Sequence, residues 1–202
     1  MPRKNKKLPR HLLVIRTSAM GDVAMLPHAL RALKEAYPEV KVTVATKSLF
    51  HPFFEGVDVD FLDIETRRTH RGIRGAIRFA REAAELKIDA VADMHNVLRS
   101  KMVRAALHLR GIPVSVIHKG RIEKYMRLGR GSEGVKPLKH TVIRYCDVFR
   151  RLGFDFPDPR PAEKRPRPNP MGEKQGIWIG FAPFSACLLY TSPSPRDAHE
   201  SR

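Results

Sequence analysis

The sequence predicts an α/β protein: a Rossmann-like parallel sheet with helices on both faces. Two observations predict it. Short apolar runs of strand length alternate with amphipathic helical stretches along residues 11–155, and such alternation belongs to parallel sheets. The opening run, LLVIR, is continuously apolar before its arginine, as in a strand buried on both sides.

Residues 12–16 form the first expected strand. A helix follows Gly21, with Val23, Leu26, Leu30 and Leu33 on one stripe, and ends before Pro38 because the position ahead of a proline disfavours helix. VKVTVAT, residues 40–46, has the β-branching of a second strand. A third strand is expected over 59–64, then an amphipathic helix over 73–86 and a strand over 90–93. A helix over 97–109 and a strand over 113–117 come next. The last helix spans 140–152, with Gly153 as its C-terminal cap. Five β-α units in series make a doubly wound sheet, whose ligands bind at the carboxyl ends of the strands.

Residues 1–10 are a basic arm carrying Arg3, Lys4, Lys6, Lys7 and Arg10. Residues 11–155 are the α/β domain. From 156 to 176 the chain holds six of its sixteen prolines, the composition of a semi-rigid, extended linker. IWIGFAPF then reads as a fresh buried strand, so 177–186 are expected to open a second domain. The following CLLYTSPSPRD looks like a translated sequencing-library adaptor. Residues 187–202 are accordingly expected to be a non-native tail, and the second domain to be cut short.

Of the 202 residues, 42% are hydrophobic and 29% charged, the composition of a soluble globular protein rather than a disordered one. The net charge of +17 implies anionic partners: nucleic acid, phosphorylated small molecules or an anionic membrane surface. Two cysteines, Cys146 and Cys187, give no disulfide framework and fit a reducing compartment. The apolar run after the basic arm is too short for a secretory signal, and no window has the ~18 apolar residues of a membrane span. A cytoplasmic protein is expected, with any membrane contact peripheral.

The most informative segment is RTSAMGDVAMLP, residues 16–27, which turns out of the first strand into the first helix. Gly21 allows a positive φ or a close backbone approach. Thr17 and Ser18 supply hydroxyls beside the expected cleft. Asp22 stands at the helix start, where the macrodipole and free amides favour a carboxylate. It is either a cap or a base for a hydroxyl proton. The segment lacks both G-x-G-x-x-G and G-x-x-x-x-G-K-[ST], which argues against dehydrogenase and P-loop chemistry.

RTSAMGDVAMLP resembles the N-terminal signature of the heptosyltransferases, glycosyltransferase family 9. DMHNVLRS (93–100), HTVIRYCDVFRRLG (140–153) and IGFAPFSA (179–186) are similar to later family segments, so the resemblance extends over residues 12–186. It implies the N-terminal, acceptor-side half of a GT-B fold. It also implies inverting, metal-free transfer of a heptose or related sugar from a nucleotide-sugar, ADP-heptose in the family, to a lipopolysaccharide core. No cofactor is implied. The family's base falls on Asp22. An anionic glycolipid acceptor, handled at the cytoplasmic face of the inner membrane, is the implied partner.

Other candidates rest on position. Arg67, Arg68, Arg71 and Arg74 follow the third strand and suit phosphate or carboxylate groups of an acceptor; alternatively they form a solvated turn. Asp93, His95 and Arg99 leave the fourth strand on the same edge, where an acceptor contact is expected, although His95 alone also fits an ordinary loop histidine; Lys119, Arg121, Lys124 and Arg127 extend the basic rim after the fifth. Ser185 would face the donor diphosphate. The family's next lysine is replaced by the tail, so the chain is not expected to turn over alone. A different class also fits the charge: a basic α/β module that binds RNA or DNA without catalysis.

Overall fold

A computed structural model of the chain describes residues 8–65, 69–120, 139–159 and 176. The chain divides between Ala162 and Glu163 into two units, and all the described residues but 176 belong to the first. The arm up to residue 7, the linker from 160 to 175, the expected strand at 177–186 and the tail at 187–202 lie outside the described residues.

Five strands form one sheet: β1 (His11–Ile15), β2 (Lys41–Thr46), β3 (Asp60–Asp63), β4 (Ala90–Asp93) and β5 (Val114–Val116). Every pairing is parallel and the order is β3-β2-β1-β4-β5. The chain moves outward from β1 to β3, then returns to the other side of β1 for β4. Strand order therefore reverses between β1 and β4, where loops leave on diverging sides and open a crevice.

The helices are α1 (Met20–Ala24), α2 (Leu26–Ala36), α3 (Gly72–Glu85), α4 (Leu98–His108) and α5 (Thr141–Leu152). They cover both faces of the sheet, as expected. Leu12 and Val14 of β1 join a core with Leu26, Leu30 and Leu33 of α2 and Tyr145, Cys146 and Phe149 of α5. Leu13 and Ile15 point the other way, into a core with Ala76, Phe79 and Ala83 of α3 and Val103 and Leu107 of α4. The period-two geometry of a strand thus feeds two cores from one apolar run.

Two elements differ from the expectation. The first helix is interrupted at Met25, which ends α1 and precedes α2. Pro27 has no N–H for a carbonyl one turn back, so the helix restarts with proline in its first turn, where that donor is not needed. A 3-10 helix over Ser48–Phe54, carrying Pro52, fills the connection after β2 and buries Phe50 and Phe54. Its tight turn gives no 3.6-residue periodicity to read.

The end of the domain follows its sequence cues. Gly153 has φ +112 and caps α5, a conformation that suits glycine. Beyond it, Phe154 and Phe156 are buried, with Tyr37 edge-on to Phe154 at 5.2 Å between centroids. The first residue assigned to the linker is thus packed on the core. Burial pushes the thiol of Cys146 up to about 11, so this cysteine is a packing residue rather than a nucleophile. Among the described residues no helix is long and apolar enough to cross a membrane.

Candidate active site at the strand-order reversal

Ile15 of β1 pairs with Asp93 of β4, so the two strands end side by side at the reversal point. The turn after β1 carries Arg16 to Asp22; the turn after β4 carries Met94 to Asn96. Arg16 follows four buried apolar residues and is itself only 6% exposed. A guanidinium so desolvated needs acceptors. It has two: one terminal nitrogen donates to the carbonyl of Met94 and the other to Asp22 Oδ2. Arg16 thereby ties the β4 turn to the β1 turn, while its Nε is buried without a partner among the described residues.

Asp22 lies in the first turn of α1, but it does not cap the helix. The residue ahead of the helix is Ala19, and no side chain bonds the amides there. The ion pair with Arg16 takes the place of the expected amide contacts. The Asp22 side chain remains 43% exposed, so an oxygen can meet an incoming group. Its own carbonyl accepts from Tyr145 Oη at 3.0 Å, which satisfies a group that a five-residue helix leaves open. Burial raises the Tyr145 hydroxyl to about 12, so it acts here as a donor.

Gly21 departs from expectation. It is helical rather than in a positive-φ turn, and a Cβ built there meets nothing within 4 Å. Its lack of a side chain leaves open space beside Asp22. Thr17 is buried, so Ser18 is the hydroxyl at the rim. The Ser18–Ala19 peptide is cis.

On the β4 side, Asp93 is fully buried and fixes the turn. Its Oδ1 accepts from the amides of His95 at 2.9 Å and Asn96 at 2.8 Å, and its Oδ2 pairs with Arg104 at 3.1 Å. Asn96 adopts φ +46, a left-handed conformation that asparagine tolerates better than most residues. This network sets His95 opposite Ser18, with Nε2 to Oγ at 3.4 Å. Burial foremost, then the charges of Arg16 and Lys119, push the His95 pKa down to about 4, against Asp93 and Asp22. His95 is neutral at neutral pH, and its Nδ1 is buried without a partner among the described residues.

The crevice therefore gathers Ser18, Gly21, Asp22 and His95, with Thr17 beneath. Arg99 stands in the first turn of α4, next to the β4 turn. The arginine run is elsewhere. Arg71 and Arg74 are exposed at the start of α3, which follows β3 at the sheet's edge, two strand spacings (about 10 Å) from β1. Their turn is pinned from below. His70 accepts the Glu65 amide at Nδ1, 3.1 Å, and so donates from Nε2 to Glu82 at 2.9 Å. Burial opposes the charge of Glu82, but Arg78 and His70 outweigh it and hold the carboxyl below its usual range. Gly75 allows this close approach: a Cβ there would run into the backbone carbonyl of His70. Arg67, Arg68 and Ser185 lie outside the described residues, as do Arg121, Lys124 and Arg127.

Sequence reasoning missed Arg16, Tyr145 and Arg104 as parts of the site, and Asp93, expected to contact an acceptor, is instead fully buried and holds the β4 turn. A signal existed for Arg16: a charge directly after a wholly buried strand must find a partner. Tyr145, 123 residues from Asp22, left none. Among the described residues no group of three or more histidine, cysteine or acidic side chains is arranged to hold a metal ion.

No protein-family model and no curated protein matches the sequence. Solved structures do. A family 9 glycosyltransferase from Veillonella parvula superposes with a TM-score of 0.53 at 17% identity, over 71% of this chain and 42% of that one. The E. coli heptosyltransferase WaaC with ADP gives 0.50 at 24% identity, over 73% and 49%. The same enzyme with ADP-2-deoxy-2-fluoro heptose gives 0.51 at 24%, over 74% and 50%. At these identities the likeness establishes the fold, a Rossmann-like α/β sheet shared with these glycosyltransferases. This chain spans half of their length or less.

Proposed function

We propose that this chain is the acceptor-side half of an inverting glycosyltransferase of the family 9 kind, with Asp22 as its general base. The observation that carries the reading is a half-exposed carboxylate at the reversal point, oriented by a buried arginine. The acceptor hydroxyl would lie against Asp22, in the space beside Gly21. As its oxygen bonds to the anomeric carbon, the bond from that carbon to the donor diphosphate breaks. The hydroxyl proton passes to Asp22. A base so placed contributes roughly 10²- to 10⁴-fold. Alignment of the acceptor and stabilisation of the departing diphosphate supply the rest.

The donor would be a nucleotide-sugar, ADP-heptose or a relative, held by a second, donor-binding half. The acceptor would be an anionic glycolipid of the lipopolysaccharide core, met at the cytoplasmic surface of the inner membrane. Ser18, His95 and Arg99 would contact the acceptor near the reacting hydroxyl. Arg67, Arg68, Arg71 and Arg74 would meet its phosphates or carboxylates farther out. Neutral His95 suits a sugar hydroxyl better than a phosphate, because it brings no charge.

The experiment joins residues 1–186 to a donor-binding half and measures sugar transfer from ADP-heptose to a deacylated core acceptor. Asp22→Asn should lower kcat about 10²- to 10⁴-fold with little change in acceptor KM. The anomeric configuration of the product, read by NMR, should be opposite to that of the donor. Full activity in Asp22→Asn removes Asp22 from this role; retention of configuration removes the single-displacement mechanism.

A further inference from the structure

A second site stands apart from the crevice, on the β5 side of the sheet. A concavity of about 260 Å³ lies between the end of β5 and the outer flank of α5, lined by His118, Gly120, Lys139, Arg144, Asp147 and Arg151. Its charges do not cancel. Asp147 is engaged by Lys139 at 2.5 Å and by Arg150 at 3.2 Å. Arg144 and Arg151 pair with no carboxylate among the described residues. Arg144 donates from Nε to the Lys139 carbonyl at 2.8 Å and from Nη1 to the His118 carbonyl at 3.4 Å. Arg151 donates from Nε to Ser115 Oγ at 3.3 Å and from Nη2 to the Val116 carbonyl at 2.6 Å.

These bonds hold both guanidinium planes in place and leave Arg144 Nη2 and Arg151 Nη1 without an acceptor among the described residues. A guanidinium fixed in this way loses little freedom when it meets a ligand. Gly120 belongs to the same construction. Its φ of +61 is one that other residues rarely adopt, and a Cβ on it would stand 2.6 Å from Arg144 Nη1, so a larger residue would displace the guanidinium. Lys139 and Arg144 also crowd the amino end of α5, where the macrodipole repels cations. Among the described residues, Asp147 alone answers this gathering of charge within the pocket. A bound oxyanion would offset the rest.

We propose that this pocket binds a phosphoryl group, with Arg144 and Arg151 as its ligands and Gly120 setting the position of Arg144. A phosphoryl group offers oxygens in several directions, which suits two separate guanidinium groups seven residues apart on α5, whereas a carboxylate offers two in one plane. The proposal does not rest on the transferase reading, because the pocket shares no residue with the crevice.

The test titrates the 202-residue chain with glucose 1-phosphate by calorimetry at fixed ionic strength, beside glucose as the uncharged control. Micelles of a phosphorylated glycolipid form a second arm. Arg144→Gln/Arg151→Gln should weaken glucose 1-phosphate binding about tenfold or more. Gly120→Ala, which leaves the charge unchanged, should weaken it severalfold. Arg71→Gln/Arg74→Gln removes the same charge as the first pair at a distant edge and should change affinity less than about twofold. Amide chemical shifts of Gly120 and Arg144 in the unaltered protein should move saturably with ligand, which keeps the proposal open to refutation if a variant misfolds. Equal weakening by both arginine pairs, or shifts spread over the surface without saturation, overturns it in favour of diffuse attraction to a basic protein. Competition of glucose 1-phosphate with the micelles would assign the bound phosphoryl to the lipid headgroup; saturable binding of the sugar phosphate without competition would assign it to a free ligand.

Discussion

The crevice between β1 and β4 and the arginine turn after β3 both stand at the carboxyl edge of one sheet, yet they handle charge in opposite ways. In the crevice, Arg16 is 6% exposed and carries Asp22 on one side and the Met94 carbonyl on the other. At the turn, Arg71 and Arg74 are exposed. A charge removed from water must be paired in one geometry, so the buried pair fixes where a carboxylate points. An exposed arginine fixes little, but reaches far. Under the proposed function, the difference would separate two tasks: aiming a proton acceptor, and collecting an anionic substrate. It also shows why +17 of net charge is a poor guide to the chemistry. The reversal of strand order is a better one.

The largest effect expected from breaking this contrast is kinetic, the fall of kcat in Asp22→Asn. Its stability cost should be small by comparison, because the amide oxygen still accepts from Arg16. About 1 kcal/mol is expected in urea denaturation. A loss of several kcal/mol would mean that the carboxylate serves the fold more than the chemistry.

Arg16→Met tests the other partner. It leaves the Met94 carbonyl and one Asp22 oxygen without their donor, and should destabilise the domain by about 2 kcal/mol. That value sits below the range for a fully buried pair because Asp22 is 43% exposed. In the joined enzyme kcat should fall as well, since the base loses its orientation. Arg16→Lys should restore most of the stability and part of the rate. If Arg16→Met left both unchanged, the pair would be incidental.

His95 gives the crevice a pH signature. Its pKa falls from 6.5 to about 4 on folding, so between these values the unfolded chain binds more protons than the folded one. Stability is therefore complete above about pH 6.5 and declines as pH drops toward 4. The contribution is on the order of 2 kcal/mol, allowing for the part of the ring that meets solvent. His11 and His28 are lowered as well, so the difference between the protein and His95→Gln isolates His95. The variant should show a shallower decline over this window in denaturation measured at several pH values. Parallel curves would mean that the ring charges freely in the folded state.

How far the sequence foretold this arrangement depends on the range of the interaction. The five strands and the helices on both faces are local patterns of apolarity, and they lie within a few residues of their expected places. Pro27 was visible too, but the stripe that continues through Leu26, Leu30 and Leu33 hid the break at Met25. Asp22 was legible as a candidate because it sits in a strand-to-helix turn. Its partner was not, because the side chain of Arg16 turns inward only once β4 is alongside. The Tyr145–Asp22 bond and the Asp93–Arg104 clamp depend on packing between helices and strands that no local period encodes. Gly21 was misread for a related reason: a glycine beside open space and a glycine in a positive-φ turn look alike in a sequence, as Gly21 and Gly72 do here.

The smallest expected effect on the fold belongs to Arg71→Gln/Arg74→Gln, and its smallness is what makes it useful. Both side chains are exposed and the turn beneath them is held by His70 and Glu82, so stability should change by less than about 0.5 kcal/mol. In the joined enzyme the pair should raise the acceptor KM several-fold at low salt, more weakly as salt increases, and leave kcat nearly unchanged, because remote charges attract the substrate without touching the reacting bond. His70→Ala is the companion variant: it keeps both arginines and loosens their base, so it should raise KM as well, at a cost in stability that the arginine pair does not show. A fall in kcat for Arg71→Gln/Arg74→Gln would place these arginines at the reacting centre, and the division between aiming and collecting would have to be redrawn.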